Sequence, residues 1–187
     1  MTNLIPVRMR HVAGFSLVEL MVTLVLLGIL TAVASSSFVT WMQDAKTRTV
    51  AESLQNGIRL AQNEALKRSR NVTFFLTSAT PAMGAVQSTT GKNWVVESMT
   101  LADSTIPEVF IQGYSPDNVT YVLTTAQSAA IKFNSMGRMV SPANPVQFTV
   151  SNAKGSGRSL AVQVSIAGEI RMCDLSKTFS STTPDGC

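Results

Sequence analysis

Between residues 20 and 43 the chain carries no charged side chain, and no other feature limits its fold as tightly. The centre of the run, Leu20 to Ala34, is almost wholly apolar. As an α-helix, residues 20–43 would rise about 36 Å, enough for a bilayer core of about 30 Å. The preceding stretch holds Arg8, Arg10 and His11 and no acid, so the positive-inside bias keeps that end cytoplasmic and exports the chain beyond residue 43. A secretory signal peptide would share these regions, with Ala32-Val33-Ala34 as the cleavage site and a soluble secreted β-protein starting at Ser35. Glu19 argues against it. A carboxylate at membrane depth is costly unless something partners it, and a discarded peptide gains nothing from one. Snorkelling to the headgroups near a helix end is the plainer alternative for Glu19.

The string Gly14-Phe15-Ser16-Leu17-Val18-Glu19 resembles the class III signal of type IV prepilins. There a short basic leader ends in glycine, followed by phenylalanine and, four residues on, by glutamate. The resemblance implies that residues 1–14 are a leader, cut by a prepilin peptidase between Gly14 and Phe15, with N-methylation of Phe15. It further implies a single-pass protein of the bacterial inner membrane, N-terminus cytoplasmic and head periplasmic, later drawn into a pilus or pseudopilus. Its partners would be other pilins or pseudopilins, the peptidase and an inner-membrane assembly platform. Cutting after Gly14 leaves an ammonium on Phe15, which Glu19 of a neighbouring subunit can neutralise. In hydrocarbon or a packed core a lone charge is expensive and a paired one tolerable, so the pair sets register during assembly.

From Trp41 to Arg70 there is no proline and one glycine, Gly57. Val50, Leu54, Ile58, Ala61 and Ala65 recur at intervals of four and three, which predicts an amphipathic helix with one packed face. Lys67, Arg68 and Arg70 gather at its end, where cations suit the helix dipole; a DNA contact is the functional alternative for that cluster. Joined to the apolar run, the helix covers residues 15–70, about 84 Å, with 15–40 as membrane span and filament core and 41–70 as an amphipathic spine. Many pilins carry a proline kink in the upper membrane half. Here Ser35-Ser36-Ser37 stands there, and serines that bond back to carbonyls allow a local bend.

Beyond residue 70 short β-type runs alternate with turn residues: Val72 to Thr77, Trp94 to Met99, Val119 to Thr124, Ala130 to Asn134, Val146 to Ser151 and Leu160 to Ile166. The last two alternate apolar and polar side chains, and Asn152 to Gly157 reads as the hairpin loop between them. Segment 78–92, rich in Ser, Thr, Ala and Gly, is expected to be a mobile loop. Residues 71–187 should thus form an antiparallel β-rich head packed on the helix, an α+β fold. This body resembles GspH/FimT-type minor pilins and pseudopilins, on the strength of Arg48, Ala61-Gln62-Asn63-Glu64-Ala65, Lys67-Arg68, Phe133, Gly137-Arg138 and the Gly168 to Cys173 strand.

Cys173 and Cys187 are the two cysteines. In an oxidising compartment a bridge between them would close a loop of about 15 residues, contributing roughly 3 kcal/mol. Two free thiols, or a metal site with Asp174 and Asp185, are the alternatives, and thiols without histidine make a poor zinc site. The lone histidine is His11, which removes His-based triads from the body of the chain. Gly155-Ser156-Gly157 lacks the lysine of a phosphate loop, and the sequon-like Asn71-Val72-Thr73 and Asn118-Val119-Thr120 read as chance. The sequence implies neither an enzyme nor a cofactor. Net charge falls from +4 to +2 once Arg8 and Arg10 leave with the leader, too mild by itself to imply nucleic acid. Arg138, Lys154, Arg158, Arg171 and Lys177 are scattered over the later turns. The FimT-like pattern for DNA contact falls on Gly168-Glu169-Ile170-Arg171, where Arg171 fits and Glu169 opposes a phosphate. Arg171, Lys177 and Arg158 are therefore the candidate DNA contacts of the alternative reading, a head that binds DNA or an exported substrate.

Overall fold

The structure, a computed structural model, describes residues 14–99, 107–117, 122–153 and 157–187, without the side chains of 33–37. Arg8, Arg10, His11, Asn118-Val119-Thr120, residues 154–156 of the expected 152–157 loop, with Lys154 among them, and the side chains of Ser35-Ser36-Ser37 lie outside the described residues. The chain divides at Val39 and Thr40 into two units, and helix α1 (Leu17–Arg68, 52 residues) contributes to both.

In the first unit α1 is apolar on all sides. Leu17, Val18, Leu24, Leu27 and Leu30 are each at least 60% exposed, and none packs on another element. Its hydroxyls are satisfied locally: Thr23 donates to the Leu20 carbonyl at 2.9 Å, and Thr31 to those of Leu27 and Gly28 at 2.9 Å. Back-bonding of this kind lets threonine sit in an apolar helix without an orphaned donor. Among the described residues no helix is long and apolar enough to cross a membrane.

The C-terminal end of α1 falls at Arg68, two residues before the expected end, for a local reason. Ser69 adopts φ 50°, in the left-handed region. The Ser69 amide then donates to the Leu66 carbonyl (3.3 Å) and the Arg70 amide to that of Ala65 (3.2 Å). This is the double bond pattern of a Schellman cap, made with serine where glycine is usual.

The second unit carries nine strands: β1 (Val72–Thr77), β2 (Asn93–Ser98), β3 (Val109–Tyr114), β4 (Val122–Ala126), β5 (Ala130–Phe133), β6 (Met139–Ser141), β7 (Val146–Asn152), β8 (Leu160–Val164) and β9 (Ile170–Asp174). They form two antiparallel sheets, β3-β2-β1-β5-β6 and β4-β7-β8-β9. The alternation in β7 and β8 sets their register, Val146 opposite Val164 and Val150 opposite Leu160, so both apolar sets face one side. β3 and β6 are not among the strands expected from the sequence. β3 is an edge strand, three of its six residues exposed and none fully buried, with a bulge at its partner's Val96 and Glu97, and shows no alternation. β6 has three residues, too few for any period.

The core lies between α1 and the sheets. Val50, Leu54, Ile58, Ala61 and Ala65 are all buried, and the last four join Phe74, Trp94, Phe133, Phe148 and Val162 in one cluster. Phe74 meets Phe148 of the other sheet edge to face, ring centres 5.7 Å apart. The helix can come this close at Gly57, where a Cβ would stand 2.8 Å from the Trp94 ring.

Segment 78–92 is not the free loop expected. Ser88 donates its amide to the Leu76 carbonyl at 2.9 Å, the Ala126 amide reaches the Thr89 carbonyl at 2.7 Å, and Asn93 Nδ2 holds the Ala79 carbonyl at 2.7 Å. Thr90 also bridges to Thr125. The Ser and Thr that look like loop composition supply backbone partners for β1 in one sheet and the edge strand β4 in the other.

Candidate functional site

Two groups of candidate residues lie at opposite ends of the sequence. At the first, Phe15 is 82% exposed and Ser16 precedes the helix. Ser16 Oγ accepts the Glu19 amide at 3.2 Å and its carbonyl accepts the Leu20 amide. Ser16 is thus the N-cap that starts α1 one turn before the apolar run, satisfying a donor that would otherwise be orphaned. The Ser-x-x-Glu spacing is a capping signature legible in the sequence, although Ser16 is not among the residues the sequence reading picks out. The Glu19 carboxylate is exposed and has no ion-pair or hydrogen-bond partner among the described residues. Phe15 and Glu19 therefore stand one helical turn apart, both open to another molecule.

At the second, Cys173 and Cys187 form a disulfide, Cα atoms 5.1 Å apart. Neither free thiols nor a thiolate metal site remain, and among the described residues no group of His, Cys, Asp or Glu is placed to hold a metal ion. The tail is fastened along β9: Asp174 donates its amide to the Asp185 carbonyl at 2.7 Å, and Cys187 returns its own to the Asp174 carbonyl at 3.2 Å. Arg158 Nε donates to Asp174 Oδ2 at 2.7 Å, and its Nη2 lies 3.8 Å from Asp185 Oδ2, which Lys177 also holds. Asp174 is buried. Burial alone would raise its pKa, but the hydrogen bonds from Ser176 and Arg158 outweigh that and hold it below the usual carboxylate range. The Lys177 hydrogen bond does the same for Asp185, and Asp174 in turn raises Arg158.

Of the candidate DNA contacts, Arg158 and Lys177 thus face carboxylates, and the charge each would offer a phosphate is already compensated. Arg171 lies over the Phe179 ring, 4.8 Å from its centre, and donates to the Gly186 carbonyl at 3.3 Å. The structure brings all three to the disulfide-bonded tail.

The remaining sequence signals converge on one amide. Gln62 Nε2 donates to the Gly137 and Gly168 carbonyls, both at 2.8 Å. Gly137 (φ 73°) turns β5 into β6 and Gly168 (φ 91°) turns β8 into β9, so α1 clamps one hairpin of each sheet. A Cβ on Gly168 would collide with the Gly137 carbonyl and the Gln62 amide, which explains glycine there. Glu64 is held below its usual pKa chiefly by the hydrogen bond from Arg68, and Arg48 pairs with Glu52 at 2.7 Å. Both are helix-surface pairs one turn apart.

The family model of type II transport protein GspH matches residues 50–168, and that of the prokaryotic N-terminal methylation motif matches residues 9–35. Among solved structures, the type IV minor pilin FimU of Pseudomonas aeruginosa strain PAO1 is similar at a TM-score of 0.54 and 17% identity, over 73% of this chain and 95% of that one. A second crystal form of FimU gives 0.51 and 18%, over 70% and 94%. The solution structure of Escherichia coli GspH gives 0.47 and 13%, over 73% and 94%. At these identities the likeness speaks for the fold alone. No curated protein matches the chain.

Proposed function

The chain belongs to the type II transport protein GspH family, structural subunits of the pilin and pseudopilin kind rather than enzymes, and on that premise we propose how it is processed and assembled. A prepilin peptidase cuts between Gly14 and Phe15, and the new Phe15 amine is methylated. Residues 15–40 anchor the protein in the inner membrane as a single span, with the β-rich head, residues 71–187, on the periplasmic side and 41–70 as its spine. An assembly platform then draws the subunit into a pilus or pseudopilus through α1.

The observation that carries this reading is Glu19, whose amide is capped by Ser16 in the first helical turn while its carboxylate has no partner among the described residues. Beyond it α1 presents apolar side chains all round, a surface suited to lipid or to neighbouring helices and not to water. In either setting Glu19 requires a cation, and the Phe15 ammonium of an adjacent subunit is the one that cleavage creates. With Arg158 and Lys177 already paired, assembly is the function that the geometry supports best. In the Glu19→Ala protein, cleavage and membrane insertion should persist while incorporation into filaments falls at least tenfold. Normal incorporation of that variant in sheared-filament fractions would overturn the pairing.

A further inference from the structure

We propose that the end of the head where the two glycine turns meet α1 is a docking face for a different subunit of the same filament, one that presents carboxylates among apolar side chains. The proposal rests on the reading of the chain as a filament subunit and adds the partner's chemistry. Four large apolar side chains are exposed there: Leu66 (46%), Met136 (76%), Val140 (47%) and Ile166 (40%). They come from three elements that the Gln62 clamp holds together. The Leu66 side chain lies 3.4 Å from the position of a Cβ at Gly137, next to Met136. The Met139 amide, beside Val140, donates to the Ile166 carbonyl at 3.1 Å. Scattered single apolar residues are ordinary on a surface; four brought together on a rigid clamp are the pattern of an interface.

The charges around them decide the occupant. Arg138 is exposed in the β5–β6 turn. Arg70 precedes β1 by two residues, and Val72 pairs with Phe133, so Arg70 sits at the same end of the sheet as that turn. Neither guanidinium has a carboxylate partner among the described residues, whereas nearby Lys67 and Arg68 share Glu64. A face that is apolar in the middle with two uncompensated arginines fits a surface that supplies carboxylates. A second copy meeting it face to face would set these arginines against themselves. DNA offers no apolar complement to Met136 and Val140, and Glu169, exposed in the same turn as Ile166, is outweighed by the two arginines.

The test uses the full chain in its own cells, with a photo-reactive benzoylphenylalanine at Met136 and, in a second variant, at Val140; the Cys173–Cys187 bond reports folding. The expected result is capture of another pilin-type protein, identified by mass spectrometry, at a peptide containing Asp or Glu. Capture should fall at least tenfold in Arg70→Glu/Arg138→Glu. Capture of this chain itself, of lipid or of DNA, no capture from either position, or capture indifferent to the charge reversal would overturn the proposal. The same reagent at Leu24 separates the two levels. If Leu24 captures subunits and Met136 and Val140 do not, the docking face alone falls; if none of them does, the filament reading falls with it.

Discussion

Replacing Gln62 with methionine isolates the two hydrogen bonds that tie α1 to both sheets. The side chain keeps its length and most of its methylene packing, and loses the amide that donates to the Gly137 and Gly168 carbonyls. One intramolecular hydrogen bond contributes about 1 kcal/mol net, and an acceptor left shielded from water costs about 1–3 kcal/mol. Both turns are tight and both glycines are buried, so the expected loss is about 2–3 kcal/mol. At roughly 2–4 °C per kcal/mol for a domain of this size, the thermal midpoint should drop by roughly 4–12 °C. The measurement is thermal and urea unfolding of the full chain in detergent, followed by near-ultraviolet circular dichroism. Gly168→Ala should also destabilise, because its Cβ meets the Gln62 amide and the Gly137 carbonyl. The double variant should then lose at least about 1 kcal/mol less than the two single losses combined, since both changes break the same clamp. A loss below about 0.5 kcal/mol for Gln62→Met, or strict additivity, would show that the turns hold each other without α1.

Three further outcomes rest on the same geometry. Cys187→Ser should cost about 3 kcal/mol in urea unfolding through the reopened loop and expose segment 175–187 to protease; an unchanged unfolding midpoint would show that the ion pairs alone hold the tail. Asp174 and Asp185 have depressed folded pKa values, so their contribution is complete above the ordinary aspartate range, about pH 4, and is lost as pH falls through the folded values. Asp174→Asn should be less stable at pH 6 and flatten the acid side of the stability profile, and an acid slope equal to that of the parent would count against the ion-pair account. Ser69→Gly should stabilise by up to about 1 kcal/mol, because glycine adopts the left-handed cap without the Cβ penalty; no gain in the midpoint would mean that the serine hydroxyl makes up the difference.

How far the sequence could be read differs by element. The helix face was legible because Val50, Leu54, Ile58, Ala61 and Ala65 repeat with the helical period, and each is buried. β7 was legible because alternation and burial coincide over its length, whereas β8 alternates only from Val162 on, Ala161 being buried along with Leu160 and Val162. β3 hid because an edge strand needs no alternation, and the cap at Ser69 hid because serine rarely takes that conformation. Ser16 shows as a capping spacing, a signal overshadowed by the Gly-Phe and Glu positions on either side of it. The role of Gln62 could not be read locally, since its two acceptors lie 75 and 106 residues away. Arg158 and Lys177 looked free in the sequence because the carboxylates that engage them meet them only once the tail has folded back along β9.

The central claim is that the chain keeps its apolar helix after processing and begins at a modified Phe15. Intact-mass and N-terminal peptide analysis of the protein from the membrane fraction tests it directly. The account predicts a polypeptide starting at Phe15 and carrying one added methyl group; a product starting at Ser35, or one retaining Met1 to Gly14 in assembled filaments, would contradict it.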